Sequence, residues 1–182
     1  MIMSDAAERG EQARLQTGRQ CGACSMCCFL FDIQDPQLTK RDGEWCPHCK
    51  PGAGGCTIHS QRPQRCRDFY CQWLTDTEWD ESWFPLKSRI VIFALRTAAG
   101  RNILVFKVDP RQPERWRQSA YFRTITDAAI EYLGSIVRVG KHTFVLQPST
   151  RPLGPHVFMT SRGKVEWVKL AASSSSLYSE AG

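Results

Sequence analysis

The nine cysteines of the chain all lie between residues 21 and 71, and clustered thiols are the groups best suited to chemistry in this sequence. They are Cys21, Cys24, Cys27, Cys28, Cys46, Cys49, Cys56, Cys66 and Cys71. Their number is odd, so they cannot all pair with one another in disulfides. Repeated C-x-x-C spacing lets a tight turn aim two thiolates at one ion. The pattern favours a metal centre over a disulfide framework or a set of inert buried cysteines.

The first cysteine run, residues 21–28, reads C-G-A-C-S-M-C-C. Bacterial ferredoxins share the first three cysteines of this spacing, but their fourth follows three further residues and precedes a proline. Here Cys28 follows Cys27 directly, and Phe29 comes next. Because neighbouring side chains tend to diverge, we expect these two thiols to serve two metals or different corners of one polynuclear centre.

The second run, residues 46–56, reads C-P-H-C-K-P-G-A-G-G-C. Its prolines stiffen the loop and its glycines let it bend sharply, so Cys46 and Cys49 form a knuckle. The glycines do not form a phosphate loop, because no Lys-Ser/Thr pair follows them. We expect His48 beside the centre rather than among its ligands. Nine thiols exceed two four-ligand sites by one, and Cys49 is our choice for the spare.

Three arginines accompany the later cysteines: Arg62, Arg65 and Arg67 lie beside Cys66. Four thiolates around a divalent ion leave about two net negative charges, which guanidinium groups offset. We interpret these arginines as charge compensation and do not expect nucleic acid as a partner. The chain has a formal net charge of +6, and its other basic residues are scattered among acidic ones.

Together the cysteine motifs resemble those of the YkgJ-type CxxCxxCC family of zinc- or iron-chelating proteins. The resemblance covers residues 21–73 and is carried by Cys21–Cys28, by the Cys46–Cys49 knuckle, and by Cys56-Thr57-Ile58, Arg62-Pro63, Cys66-Arg67, Phe69 and Cys71. It implies metal binding, with zinc or an iron–sulfur cluster as the cofactor, and supplies no reaction. His59 stands where the family often has Tyr, which adds a candidate ligand or proton carrier beside Cys56.

The rest of the chain predicts an α+β fold. Hydrophobic periodicity indicates a helix and three strand pairs: strands at 89–96 and 102–108, the helix at 116–133, then strands at 136–139 and 143–146 and at 157–160 and 165–170. We expect a small irregular cysteine-rich metal-binding module packed on an antiparallel sheet of hairpins with one main helix.

This interpretation divides the chain into four segments. They are a mobile N-terminal lead at 1–20 with at most a short frayed helix, the cysteine-rich module at 21–86, a small α+β domain at 87–172, and a disordered Ser-rich tail at 173–182. Inside the module, we expect a short strand at 29–33 and the start of a brief helix at 38–42. The aromatic residues Trp73, Trp79, Trp83 and Phe84 are expected to cover the module or, alternatively, to bind a protein partner.

The sequence also bears on location and function. It has neither the apolar stretch of a secretory signal nor the run of about 18 apolar residues of a membrane span, so we expect a cytoplasmic protein. The leading interpretation is a structural or accessory metal-binding protein that holds one or two zinc ions or an iron–sulfur cluster. The alternatives are an enzyme that uses the centre catalytically or for electron transfer, and a zinc-ribbon-like nucleic-acid or protein-binding module. The absence of a nucleophile motif leans against the enzyme, and the oligomeric state stays open.

Overall fold

The computed structural model describes residues 5–52, 55–96, 102–132, 134–147, 156–161 and 164–168. Its helices are α1 (Asp5–Thr17), α2 (Met26–Leu30), α3 (Gln64–Arg67), α4 (Gln72–Thr75), α5 (Pro85–Ser88) and α6 (Ser119–Glu131). Its strands are β1 (Ile33–Asp35), β2 (Leu38–Lys40), β3 (Cys49–Lys50), β4 (Gly55–Cys56), β5 (Ile90–Arg96), β6 (Asn102–Val108), β7 (Ser135–Val139), β8 (His142–Gln147), β9 (His156–Ser161) and β10 (Lys164–Val168). Within these ranges, every helix is too short or too polar to cross a membrane. The predicted tail at 173–182 lies outside the described residues.

Strands β5 to β10 form one six-stranded sheet in the order β10-β9-β8-β7-β6-β5. Neighbouring strands are antiparallel except β6 and β7, which run parallel with Leu104 opposite Ser135. Parallel neighbours need a long crossover, and the connection through α6 supplies one. The mixed α+β class, the strand pairs and the main helix are therefore confirmed. The prediction of a purely antiparallel sheet is wrong at this one pair.

One face of the sheet carries the main apolar core. Strand β6 directs Leu104, Phe106 and Val108 into it, and none of the three is more than 3% exposed. Helix α6 covers this face with side chains that recur every three to four positions: Tyr121, Ile125, Ala128 and Ala129. That spacing buries a single stripe of the helix, which explains why its position could be predicted from the sequence.

The tryptophans of the 73–84 segment belong to this same core. The rings of Trp79 and Trp83 lie edge to face with centroids 5.2 Å apart, and both contact the ring of Phe106. Trp73 packs against Phe84 at 4.7 Å. All three tryptophans are buried. They are therefore not available to a partner as an exposed patch, and the cysteine-rich segment shares its last aromatic residues with the core of the sheet.

The opposite face of the sheet packs on the cysteine-rich segment. Val91 of β5 is buried against the apolar side of α2, which consists of Met26, Phe29 and Leu30. Phe93, the next residue on the same face, contacts the rings of Phe31 and Phe69. Because successive strand residues point to opposite faces, β5 separates the two regions of the molecule while contacting both.

Charged side chains add two further links between the sheet and the cysteine-rich segment. Lys107 of β6 is buried and forms an ion pair of 2.5 Å with Asp42. Arg111 forms a bidentate pair with the buried carboxylate of Asp109, and its guanidinium lies 4.1 Å from the ring centre of Phe29. Paired charges of this kind fix the orientation of the segment on the sheet.

Two short elements differ from the expectations for the cysteine-rich segment. Phe29 lies in α2 and not in a strand, and the strand β1 begins only at Ile33. Residues 38–40 form β2 rather than the start of a helix, with Leu38 and Lys40 buried and Thr39 exposed. Apolar runs this short are compatible with both helical and strand periodicity, so tertiary packing decides which structure forms.

Residues 5–17 form a helix, where the sequence predicts a mobile lead with at most a short frayed helix. The helix α1 contacts α4, and two hydrogen bonds tie it to residues 70–74. The Tyr70 hydroxyl donates to Glu11 at 2.9 Å, and the Thr17 hydroxyl donates to the carbonyl of Leu74 at 2.8 Å. A helix that docks without an apolar stripe leaves no hydrophobic periodicity in the sequence.

Candidate metal centre

Eight of the nine cysteines line one pocket of about 990 Å³ beside the outer face of β5. They are Cys21, Cys24, Cys27, Cys28, Cys46, Cys56, Cys66 and Cys71. Cys49 is not among the lining residues, and all nine cysteines are free thiols. Separate stretches of the chain therefore bring their thiols to a single concave surface.

Tight turns hold the first cysteines in place. The Cys24 amide donates to the Cys21 carbonyl at 2.8 Å, and Gly22 between them has a positive φ of 52°. That conformation favours glycine, which has no Cβ to clash. Gly55 of β4 approaches this turn closely, so that a Cβ there would lie 3.6 Å from the Gly22 carbonyl oxygen. The second cysteine run is thereby positioned beside the first.

Backbone hydrogen bonds join the two runs more directly. The Cys46 amide donates to the Cys28 carbonyl at 3.1 Å, and the Cys49 amide donates to the Cys46 carbonyl at 2.9 Å. Strands β3 and β4 pair so that Cys49 stands opposite Cys56. These bonds fix the knuckle against the start of α2 without using any thiol.

One group of thiols consists of Cys21, Cys24 and Cys71. Burial raises the pKa of Cys71 to about 12, and the nearby thiols of Cys21 and Cys24 also act to raise it. Burial likewise raises the pKa of Cys24 to about 11. Cys71 therefore lies close to Cys21 and Cys24, although about 50 residues separate them in the sequence.

A second group surrounds the small apolar cluster of Ile33 and Leu38. Its members are Cys28, Cys46, Cys49 and Cys66, with Cys56 beside them. Burial raises the pKa of Cys66, and neighbouring thiols act in the same direction. Clustered thiols hold their protons strongly because each additional thiolate would meet the charge of its neighbours. A bound cation removes that repulsion.

The two groups meet at Cys27 and Cys28. The Cys27 thiol and burial both act to raise the pKa of Cys28. That these two thiols serve two metals or different corners of one polynuclear centre stays a prediction. Both residues lie in α2, where successive side chains are about 100° apart, and both can face the same pocket.

Lys40 is a buried cation at the second group that sequence reasoning missed. It is 5% exposed, and its amine donates to the carbonyls of Phe31 and Arg41. Its charge acts to lower the pKa of Cys28 and of Cys46, against the larger effects that raise them. The signal available in the sequence was the alternation of Leu38, Thr39 and Lys40, which directs Lys40 to the same side as Leu38.

Arg62 supplies a cation between the two groups. Its side chain lines the pocket and acts to lower the pKa of Cys21 and of Cys66. Its Nε is buried and has no hydrogen-bond partner among the described residues. Arg65 and Arg67 also line the pocket. The arginines therefore border the thiols, as charge compensation requires.

The two histidines of the segment are placed differently. His59 lines the pocket, and its pKa is lowered by the charge of Arg62 and by burial. An imidazole with a lowered pKa is neutral at pH 7 and can bind a metal ion. His48 is not among the lining residues, and its carbonyl accepts a hydrogen bond from the Thr57 amide at 2.8 Å.

The donor set suits a thiophilic metal, although the thiols do not yet meet at one point. Across the described ranges, no three Cys, His, Asp or Glu side chains converge closely enough to hold one metal ion. Binding would require side-chain rotations that draw the sulfurs together. The pocket thiols, the unpartnered Nε of Arg62 and the buried amine of Lys40 fit an anionic metal–thiolate centre. That all nine cysteines are ligands stays a prediction.

Comparisons with known proteins identify no relative of the chain. No protein-family model matches it, and searches of curated proteins and of solved structures find no similar chain. The resemblance to the YkgJ-type family therefore rests on the cysteine motifs alone and stays a prediction.

Proposed function

We propose that the chain is a metal-binding protein whose pocket thiolates hold zinc ions or an iron–sulfur cluster. The observation that carries the proposal is the convergence of eight cysteines from separate stretches on one pocket. Thiols concentrated in this way are typical of zinc and iron–sulfur sites. Its role is structural, or accessory to metal handling or redox.

The grouping of the thiols suggests which of them hold metal together. One four-thiolate set consists of Cys21, Cys24, Cys27 and Cys71, and the other consists of Cys28, Cys46, Cys56 and Cys66. Each set suits a tetrahedral zinc ion. The contact between Cys27 and Cys28 equally suits a polynuclear centre that draws on both sets. Cys49 remains outside both arrangements.

The charges around the pocket support an anionic centre. A zinc ion with four thiolates carries about two net negative charges. Lys40 and Arg62 lie close enough to act on thiols of the second set. Asp42 acts on Lys40 but is already paired with Lys107, so thiolates of a metal centre would give Lys40 a further counter-charge. Metal binding therefore gives these cations a partner.

Metal analysis of protein purified without oxygen tests the proposal directly. Brown protein with iron and inorganic sulfide indicates a cluster, whereas colourless protein with about two zinc ions, one for each four-thiolate set, indicates zinc. Protein that binds neither metal, with all nine thiols open to alkylation, contradicts the proposal.

We expect Cys66→Ser to lower the metal content and to destabilise residues 21–73 far more than Cys49→Ser. Equal melting of the two variants argues against the ligand sets.

A redox or catalytic role is a second candidate, favoured by the open pocket and by His59 on its wall. Such an enzyme needs a coordination position that protein ligands leave free. In Co²⁺-substituted protein, imidazole or azide changes the visible spectrum if a position is open. A spectrum unaffected by either ligand supports a closed structural centre. His59→Gln serves as the matched variant, because a spectrum altered by it places the imidazole at the metal.

A further inference from the structure

Cys49 differs from the other cysteines in its surroundings. It is absent from the pocket wall, yet its thiol lies close enough to the Cys28 thiol and to the Ser25 side chain for both to act on its pKa. Cys28 and Cys49 also pack on the same apolar cluster. The Cys46 amide donates to the Cys28 carbonyl and the Cys49 amide donates to the Cys46 carbonyl, so the backbone fixes the position of Cys49 relative to Cys28. A spare thiol is thus held against a proposed ligand.

We propose that Cys49 is the resolving thiol of a redox-sensitive metal site, and that oxidation joins it to Cys28 in a disulfide. The disulfide removes Cys28 from the metal and weakens the second four-thiolate set. The release of metal rests on the proposed function, whereas the pairing of the two thiols does not. The site then reports an oxidant by losing its metal.

The reaction needs one hydroperoxide, here hydrogen peroxide, as the oxidant. The Cys28 thiolate attacks one peroxide oxygen, the O–O bond breaks, and Cys28 becomes a sulfenic acid while hydroxide leaves. The Cys49 sulfur then attacks the Cys28 sulfur, the S–O bond breaks, and water leaves with the Cys49 proton. Two sulfurs lose one electron each, and the peroxide gains both. The products are one disulfide, one hydroxide and one water.

Two other pairs of neighbouring cysteines have to be compared with Cys28 and Cys49. Cys27 and Cys28 are adjacent in the chain, so their Cα atoms lie about 3.8 Å apart, whereas disulfides span about 4.4–6.8 Å. Cys49 and Cys56 face each other across β3 and β4, and the bond from the Thr57 amide to the His48 carbonyl makes them a non-hydrogen-bonded pair. Their Cα atoms are therefore about 4.5 Å apart, inside the range for a disulfide, so Cys49–Cys56 is the competing pair that the test distinguishes. The side chain of Cys49 packs with that of Cys28 on the cluster of Ile33 and Leu38, which favours the Cys28–Cys49 pairing.

The test uses the full chain, reduced and loaded with Zn²⁺ alone, and treated with one equivalent of hydrogen peroxide. A colorimetric chelator follows zinc release, and peptide mass mapping without reductant identifies the disulfide. We expect a Cys28–Cys49 disulfide formed in step with zinc release. Cys49→Ser is expected to bind zinc normally and to release it several-fold more slowly. Cys56→Ser removes a proposed zinc ligand, so it is the control for the disulfide alone: as reduced, metal-free chain it should still form the Cys28–Cys49 disulfide.

Three results overturn the proposal: a Cys49–Cys56 disulfide as the main product, alkylation of Cys49 after full oxidation, or zinc release from Cys49→Ser at the wild-type rate. The same mapping on reduced, metal-free chain separates this proposal from the proposed function. A Cys28–Cys49 disulfide in a chain that never binds metal supports the pairing and contradicts the metal centre. Normal zinc binding without that disulfide contradicts the resolving role alone.

Discussion

The two faces of the six-stranded sheet are stabilised in different ways. On one face, α6 and the tryptophans surround Phe106 with a continuous apolar core. On the other face, the cysteine-rich segment consists of elements of two to five residues, and its apolar clusters are small. Isolated hairpins and helices of that length are marginal in water. The first face therefore has a core of its own, whereas the second depends on whatever holds its thiols together.

This difference gives the proposed metal a definite energetic role. A segment with little apolar area to bury commonly depends on disulfides or metal ions for stability. In the described residues, the part of the cysteine-rich segment that precedes Trp73 contacts the outer face of the sheet through Val91, Phe93 and a few paired charges. Metal ligation would link its short elements to one another. The metal would thus replace the core that this face lacks.

Metal removal is expected to have the largest effect and to act on one face only. Because metal binding and folding are coupled in small thiolate sites, chelation should open residues 21–71 while the sheet stays folded. Hydrogen exchange measures this: the amides of Cys46 and Thr57 lose protection, and the amides of β6 keep theirs. Zinc added back under reducing conditions should restore the protection. Loss of protection on both faces at once would contradict the separation.

Phe106→Ala tests the other face. Phe106 is fully buried and contacts Trp79 and Trp83, so truncation should lower the free energy of unfolding by about 3–5 kcal/mol. Denaturant unfolding should give the same loss with and without metal. Ile130→Ala is the control, since Ile130 is 64% exposed and its truncation should change stability by less than about 0.5 kcal/mol. A loss seen only in metal-loaded protein would mean that the faces are coupled.

The contrast between the faces also explains how much of the fold could be predicted from the sequence. The strands β5 and β6 are runs of β-branched and other apolar residues because both of their faces are buried, whereas α6 has helical periodicity because it buries one side against the core. The parallel pairing of β6 with β7 could not be predicted, since it depends on where α6 returns the chain. The helix α1 was missed because its contacts with Tyr70 and Leu74 are polar.

The residues of the candidate site could be predicted where local sequence marks them and could not where tertiary packing brings them together. The spacing of the cysteines marked every thiol of the pocket as a candidate. It could not indicate that Cys71 lies beside Cys21 and Cys24, or that Cys27 and Cys28 both face the pocket, because both facts depend on long-range packing and helix geometry. Lys40 was missed because β2 is only three residues long, and its alternation is visible only once Leu38 is known to be buried.

Arg111→Ala tests the link between the faces, with a smaller effect that depends on pH. Burial acts to raise the pKa of Asp109, but the hydrogen bonds and charge of Arg111 outweigh it and the pKa is lowered. A lowered folded-state pKa contributes stability above the unfolded pKa of about 3.9, and this contribution is lost as the pH falls through the folded value. The variant should lose about 1–3 kcal/mol at pH 7, because it leaves a buried carboxylate without its partner.

The loss from Arg111→Ala should shrink in acid, as the pH falls from the unfolded pKa of about 3.9 through the lowered folded value and the wild-type carboxylate also takes up a proton. Thermal melting between pH 7 and pH 3 measures it. Lys141→Ala removes the same charge from an exposed turn residue and serves as the control. A loss of stability that stays constant across this pH range would show that Arg111 acts by packing on Phe29 and not through Asp109.

Gly10→Ala should have the smallest effect on stability, and whether it stabilises or destabilises the protein shows whether α1 packs against Tyr70. In an isolated helix this change stabilises by about 1 kcal/mol. Here the new Cβ would overlap Cδ2 of the Tyr70 ring and lie 2.8 Å from its Cγ, so α1 must move away from Tyr70. Because Glu11 and Arg14 of α1 line the thiol pocket, that movement should speed metal removal by a chelator and leave the hydrogen-exchange protection of β6 unchanged.

Gln12→Ala, at an exposed position of the same helix, is the control and should not change the rate of metal removal. If Gly10→Ala stabilises the protein by the full helix propensity and leaves the chelation rate unchanged, α1 is not docked on the cysteine-rich face.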